Sequence, residues 1–306
     1  MAMMSFLCFP SRTALVILAS VLCIAGADGP SASTIHNSTG LRILVAAENK
    51  QPTLRIVLPD RPETDRTIEV IFPEHVTARI RGNKVAEHMY LFEPGLQGDA
   101  PQWKQDKNSL QYERDFGSVH FLARAVLQSD GVLFHYQFVN RSSTTYGLIY
   151  AVTDPRLTGM FHDVRLERTY VHRTTGFDLL ASETPSRLTM PLDQWLPARY
   201  LASFTWPVPT QRIERRDDGI TYYNKSREVD QPLVVTLSED RQWSVASFSR
   251  TTGNVWSNPE LTCQHVDPEV SLAAHGTAVA EVKILILKGS LNDVLEKVKA
   301  ERKTLK

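Results

Sequence analysis

Cysteine is nearly missing from this sequence. Its 306 residues hold three, and two of them, Cys8 and Cys23, fall in or next to the first apolar stretch. Beyond that stretch only Cys263 remains, so no internal disulfide is expected and a hydrophobic core must hold the fold alone. An excess of either charge is missing too, with 34 basic against 34 acidic residues and no long run of one sign. Nucleic-acid binding needs a basic stripe for phosphate contacts, so no nucleic-acid partner is expected. Long apolar runs are confined to residues 14–24, about half of the roughly 20 residues that cross a bilayer. No nucleotide loop, zincin motif, serine-hydrolase elbow or calcium loop occurs, and neither a cofactor nor a metal is expected.

What is present begins with an export pattern. Arg12 supplies one positive charge, residues 14–24 are apolar, and Ala25-Gly26-Ala27 offers small residues before Asp28. This predicts a signal peptide over 1–27 and a secreted or periplasmic protein without a membrane span after cleavage. Residues 28–50, with Gly29-Pro30 and Ser31-Ala32-Ser33-Thr34, read as a flexible lead-in. Residues 51–306 read as one domain.

Period-two alternation recurs through that domain. Val119, Phe121, Ala123, Ala125 and Leu127 share one parity, as do Val132, Phe134, Tyr136 and Phe138, and Ser129-Asp130-Gly131 between them is hairpin chemistry. Similar runs lie at 54–58, 68–72, 146–152, 164–171, 220–223, 233–237, 243–248 and 279–287. Many strands without intervening helical patterns predict an all-β fold, a large antiparallel two-sheet sandwich. One helix is expected over 291–306. Ser290 caps it, Asp293 stands at the capping-box position, and Leu291, Val294, Leu295 and Val298 form one apolar stripe. Prolines 185, 191, 197, 207 and 209 break the connection 173–215, which reads as a rim loop or as a linker between sandwich halves.

The run from Gly131 to Ser142, a long strand ending in Asn140 and a polar turn, resembles the central strands of galactose mutarotase-type supersandwich domains. The run Ala274-His275-Gly276-Thr277 into 279–287 is similar to their closing strand. The resemblance spans about residues 50–290 and implies a carbohydrate-facing role. Epimerases of that type use a histidine acid and a glutamate base. Their histidine-proline-tyrosine-phenylalanine-asparagine motif is absent here, so their catalytic residues cannot be carried over.

Chemistry is sought first in the segment 262–268. If it is extended, Cys263, His265 and Asp267 share a face, and Asp267 could orient the His265 imidazole for proton transfer; the alternative is a histidine held by a turn carboxylate before Pro268. A Cys-His-Asp nucleophilic set is formally available as well. Arg168 carries a charge on the apolar parity of 164–171, so it must pair with a buried carboxylate or line a binding groove. His162 and His172 are rejected as a metal pair, because ten residues of one strand set them about 33 Å apart. Trp103 and Trp256 stand in polar loops, where they could stack on sugar rings or simply close the sandwich ends.

Together these predict a groove lined by His265, Asp267 and Arg168 with Trp103 or Trp256 at its rim. An arginine there would favour acidic glycans. A non-catalytic interaction module and a hydrolase built around His265 are the competing readings.

Overall fold

The structure is a computed structural model. It describes residues 34–46, 50–92, 100–182 and 229–306, and the backbone of strands Tyr200–Thr205, Arg212–Arg215 and Thr221–Asn224. Residues 1–27, where a signal peptide is expected, lie outside the described residues, as does much of the proline-rich connection 173–215.

Among the described residues the chain is all-β and almost wholly antiparallel, with one α-helix near the C-terminal end. A nine-stranded sheet, a five-stranded sheet and two four-stranded sheets account for the described strands. The hairpin Val119–Gln128 and Gly131–Asn140 lies in the large sheet, and its inward residues alternate with outward ones. Gly131 meets a tight approach in that hairpin, since a Cβ there would lie 2.0 Å from the Ile284 carbonyl oxygen.

Two apolar layers use the two faces of the large sheet. Tyr112, Phe121, Phe134, Tyr136, Val245 and Ile284 share one core with Ile43, Leu54, Ile56 and Val70 of the five-stranded sheet. Leu233, Val235, Ala246, Phe248 and Leu285 point to the other face, where Val294, Val298 and Leu305 cover them. Strands Leu233–Leu237 and Trp243–Ser249 are therefore buried on both sides, and Ser244, Ser247 and Ser249 of the second are buried with the apolar residues around them.

The helix spans Leu291–Glu301, with the Ser290–Asp293 capping box in place. Lys283, only 3% exposed, is bonded to Asp130 at 2.8 Å and to Glu301, and Lys297 reaches Asp130 at 3.0 Å. These ion pairs tie the helix to the hairpin turn.

Two expectations need correction. Strands Thr34–His36 and Arg42–Val45 fall within the stretch read as a lead-in, yet they pair with each other and with Thr53–Val57. The strand expected over 164–171 begins only at Thr169. Before it, the buried Asp163 carboxylate accepts the backbone N–H groups of Glu167 and Arg168, and Leu166 takes a φ of 53°, so the chain turns. Asn140, at the end of its strand, is buried and donates its amide to the Thr144 and Ala273 carbonyls. Among the described residues, no helix is long and apolar enough to cross a membrane.

Candidate functional site

Backbone pairing brings three distant segments together. Strand Asp154–Leu157 lies antiparallel to Ile68–Ile71, and Val152 exchanges backbone bonds with Glu74 and His75 just beyond. The segment 262–268 joins from the other side. His265 makes a two-bond bridge with Trp256, and the Asp267 carboxylate accepts the Thr153 backbone N–H at 2.8 Å.

His265 sits at the centre, 1% exposed. Its Nδ1 lies 3.4 Å from Asp267 Oδ2 and its Nε2 lies 3.4 Å from Asp154 Oδ1. Trp256 stacks on the imidazole with centroids 3.6 Å apart and planes 5° from parallel. Asp154 Oδ2 accepts Arg156 Nε at 2.6 Å, and Arg156 reaches Glu74 Oε1 at 3.3 Å. Glu74 Oε2 is 3.7 Å from His75 Nδ1, and the His75 ring contacts His88 edge-on and Tyr90.

The layout grades from sealed to open. Asp154 and Cys263 are buried like His265, whereas Glu74 and Arg156 are about a third exposed and Tyr90 is 55% exposed. Proton affinities follow this gradient. Burial works against the His265 imidazolium, but Cys263 and the carboxylates of Asp154 and Asp267 raise its pKa well above the ordinary histidine value. Burial alone would raise Asp154, yet His265 and Arg156 hold it below the usual carboxylate range. Burial raises Asp267. Burial also raises Glu74, with help from Asp154, and lowers His75 to about 4, with help from His88 and His265.

The five residues singled out in the sequence fare differently. His265 and Asp267 are paired, with Trp256 on the imidazole. Arg168 is not bonded to them. Its guanidinium donates to the carbonyls of Met160, His162 and Leu237, so it clamps the turn before its strand rather than lining a groove or meeting a core carboxylate. Trp103 packs at 5.7 Å from Phe72 and 5.3 Å from Tyr112 as part of the core wall, not as a rim aromatic. His172 bonds Asp230 at 2.6 Å, and His162 is exposed. Sequence reasoning missed Glu74, His75, Asp154 and Arg156. One signal was available for Asp154, which precedes a proline just as Asp267 does.

One ligand atom each from Asp154, Cys263 and His265 lies within 4.8 Å of the others, a spacing open to a metal ion.

Comparisons with known proteins bear on the fold. No family model matches the sequence, and no curated protein matches it. The chain is similar in structure to galactose mutarotase-like proteins. A galactose mutarotase-like protein of Lactobacillus casei ATCC 334 aligns at 9% identity with a TM-score of 0.43, over 84% of this chain and 100% of that one. A putative aldose 1-epimerase of Escherichia coli K12 aligns at 9% identity and 0.43, over 85% and 99%. Slr1438 of Synechocystis sp. PCC 6803 aligns at 9% identity and 0.46, over 86% and 97%. Likeness at this level concerns the outline of the fold, and the chemistry of the site rests on its own geometry.

Proposed function

We propose that this chain is an exported protein that binds neutral carbohydrate at the open end of the site, where Glu74 and His75 exchange protons with the bound sugar. The observation that carries this reading is the inverted pair. A glutamate and a histidine normally meet as carboxylate and imidazolium. Here burial shifts each group toward its neutral form, raising the Glu74 pKa and lowering the His75 pKa to about 4. Opening a cyclic hemiacetal requires a proton to be given to one oxygen and taken from another, and a carboxyl of raised pKa beside an imidazole of lowered pKa is suited to that. The exposed residues Tyr90 and His88, both against the His75 ring, offer planar surface beside these polar groups.

Neutral ligands are favoured over acidic ones. The acidic-glycan expectation rested on Arg168, which is committed to backbone carbonyls. Arg156 is already engaged by Asp154 and Glu74. His265 and Asp267 are too well buried to touch a ligand directly, so in this reading they hold Asp154 and Thr153 in place rather than act on substrate.

Saturation-transfer NMR with neutral aldoses tests the binding, and two-dimensional exchange NMR reads the interconversion of their anomers. The wild-type protein should accelerate that interconversion, and Glu74→Gln should reduce the acceleration by about 10²–10⁴-fold. Absence of any saturation transfer, or an unchanged rate in Glu74→Gln, overturns the proposal. Export rests on the pattern over 1–27. Mass spectrometry of the protein recovered from the periplasm or medium should place Asp28, or a close neighbour, at the amino terminus, whereas an intact Met1 in that fraction counts against export.

A further inference from the structure

We propose that Asp154, Cys263 and His265 form a binding site for a zinc-type divalent metal ion. Two observations meet here. The first is the donor set, one thiolate-forming sulfur, one imidazole and one carboxylate, whose ligand atoms all lie within 4.8 Å of one another. This mixture of soft and borderline donors suits zinc or cobalt and does not suit calcium or magnesium, which prefer oxygen alone. The second is an orphan. Asp154 is 2% exposed, and its Oδ1 has no hydrogen-bond partner while facing His265 Nε2 at 3.4 Å. A buried acceptor left without a partner is costly, and native structures rarely keep one without a reason.

The separation has a meaning of its own. At 3.4 Å the contact is long for a hydrogen bond, which prefers 2.7–3.2 Å. It equals the edge of a tetrahedron whose corners lie about 2.1 Å from a central zinc. A cation between the two atoms would satisfy both, with the Cys263 sulfur, within 4.8 Å of each, as the third ligand. The fourth corner would then remain for water or a ligand oxygen.

The surroundings are those a metal site needs. His265 presents Nε2 to the proposed ion while Nδ1 faces the Asp267 carboxylate, which fixes the ring orientation. Trp256 holds the same ring by stacking. The second oxygen of Asp154 is bonded to Arg156, leaving only Oδ1 to point inward. Each first ligand other than the cysteine thus has its own partner. Sequence reasoning set a metal aside because no local ligand spacing exists: Asp154 is more than a hundred positions from the other two.

The test uses the full chain and cobalt. Protein freed of metal with a chelator and titrated with Co²⁺ should bind one equivalent. It should also develop a thiolate-to-cobalt charge-transfer absorption together with the visible bands of a tetrahedral ion. Zn²⁺ should displace the cobalt and abolish both. Cys263→Ser should lose the charge-transfer band, and Asp267→Asn should weaken binding by roughly 10–100-fold while keeping the band. The wild-type spectrum decides the matter even where a variant fails to fold. Failure to bind cobalt, or binding without a thiolate band, overturns the site. The readout involves no sugar, so its outcome is independent of the carbohydrate proposal.

Discussion

Replacing His265 by leucine should lower the midpoint of thermal unfolding by roughly 6–20 °C, measured by circular dichroism in the presence of a chelator. His265 lies between two carboxylates, Asp154 and Asp267, both of them buried. Leucine removes the one group that faces both while leaving them away from water. Removing one partner of a buried ion pair costs about 3–5 kcal/mol, because the remaining charge is left uncompensated. The destabilisation falls mainly on Asp267, since Asp154 keeps Arg156 at 2.6 Å, and loss of the Trp256 stacking adds to it. Adding Asp154→Asn and Asp267→Asn to the leucine variant should therefore recover part of the loss. If the single variant melts within about 1 °C of the wild type, the carboxylates are compensated by something other than His265.

Between pH 6.5 and about 4, acid should cost the folded state on the order of 2–3 kcal/mol through His75 alone. Burial, His88 and His265 depress this imidazole to about 4, while Asp154 pulls slightly the other way and Glu74 lies 3.7 Å off. In the unfolded chain His75 takes up a proton near its ordinary value of 6.5. Within that window the unfolded state binds more protons than the folded one, so stability is complete above it and falls as pH drops through it. Glu74 acts in the opposite sense, since its folded pKa is raised and its contribution weakens as pH climbs. The two slopes overlap. The useful quantity is thus the difference between wild type and His75→Gln in urea unfolding across this range. That difference should grow toward neutral pH. A difference independent of pH would mean that His75 titrates in the folded protein as it does in the unfolded one.

What could be read from the sequence was local. The hairpin 119–140 shows its buried face through alternation, and the helix announces itself through Ser290, Asp293 and the stripe from Leu291 to Val298. The pair His265–Asp267 was legible for the same reason, since an extended segment sets i and i+2 on one face. Arg168 misled because parity was counted through a stretch that is not a strand. The Asp163 carboxylate captures two backbone N–H groups there, a competition that alternation cannot reveal. Trp103 misled because polar neighbours in sequence say nothing about which ring it meets in space. Glu74, His75 and Asp154 reach the site through strand pairing across long separations, and no spacing within their own segments marks them.

The helix over the outer face of the large sheet carries a consequence for how the chain is made. Residues 291–305 leave the ribosome after every strand they shelter, so Leu233, Val235, Ala246, Phe248 and Leu285 emerge with nothing yet synthesised to cover them. During that interval the sheet offers a greasy outer surface to any neighbouring nascent chain, and Lys283 waits for Glu301, one of its two counter-charges. Closure therefore follows the synthesis of every strand in the patch, which gives a holding chaperone a defined surface to hold until the helix arrives.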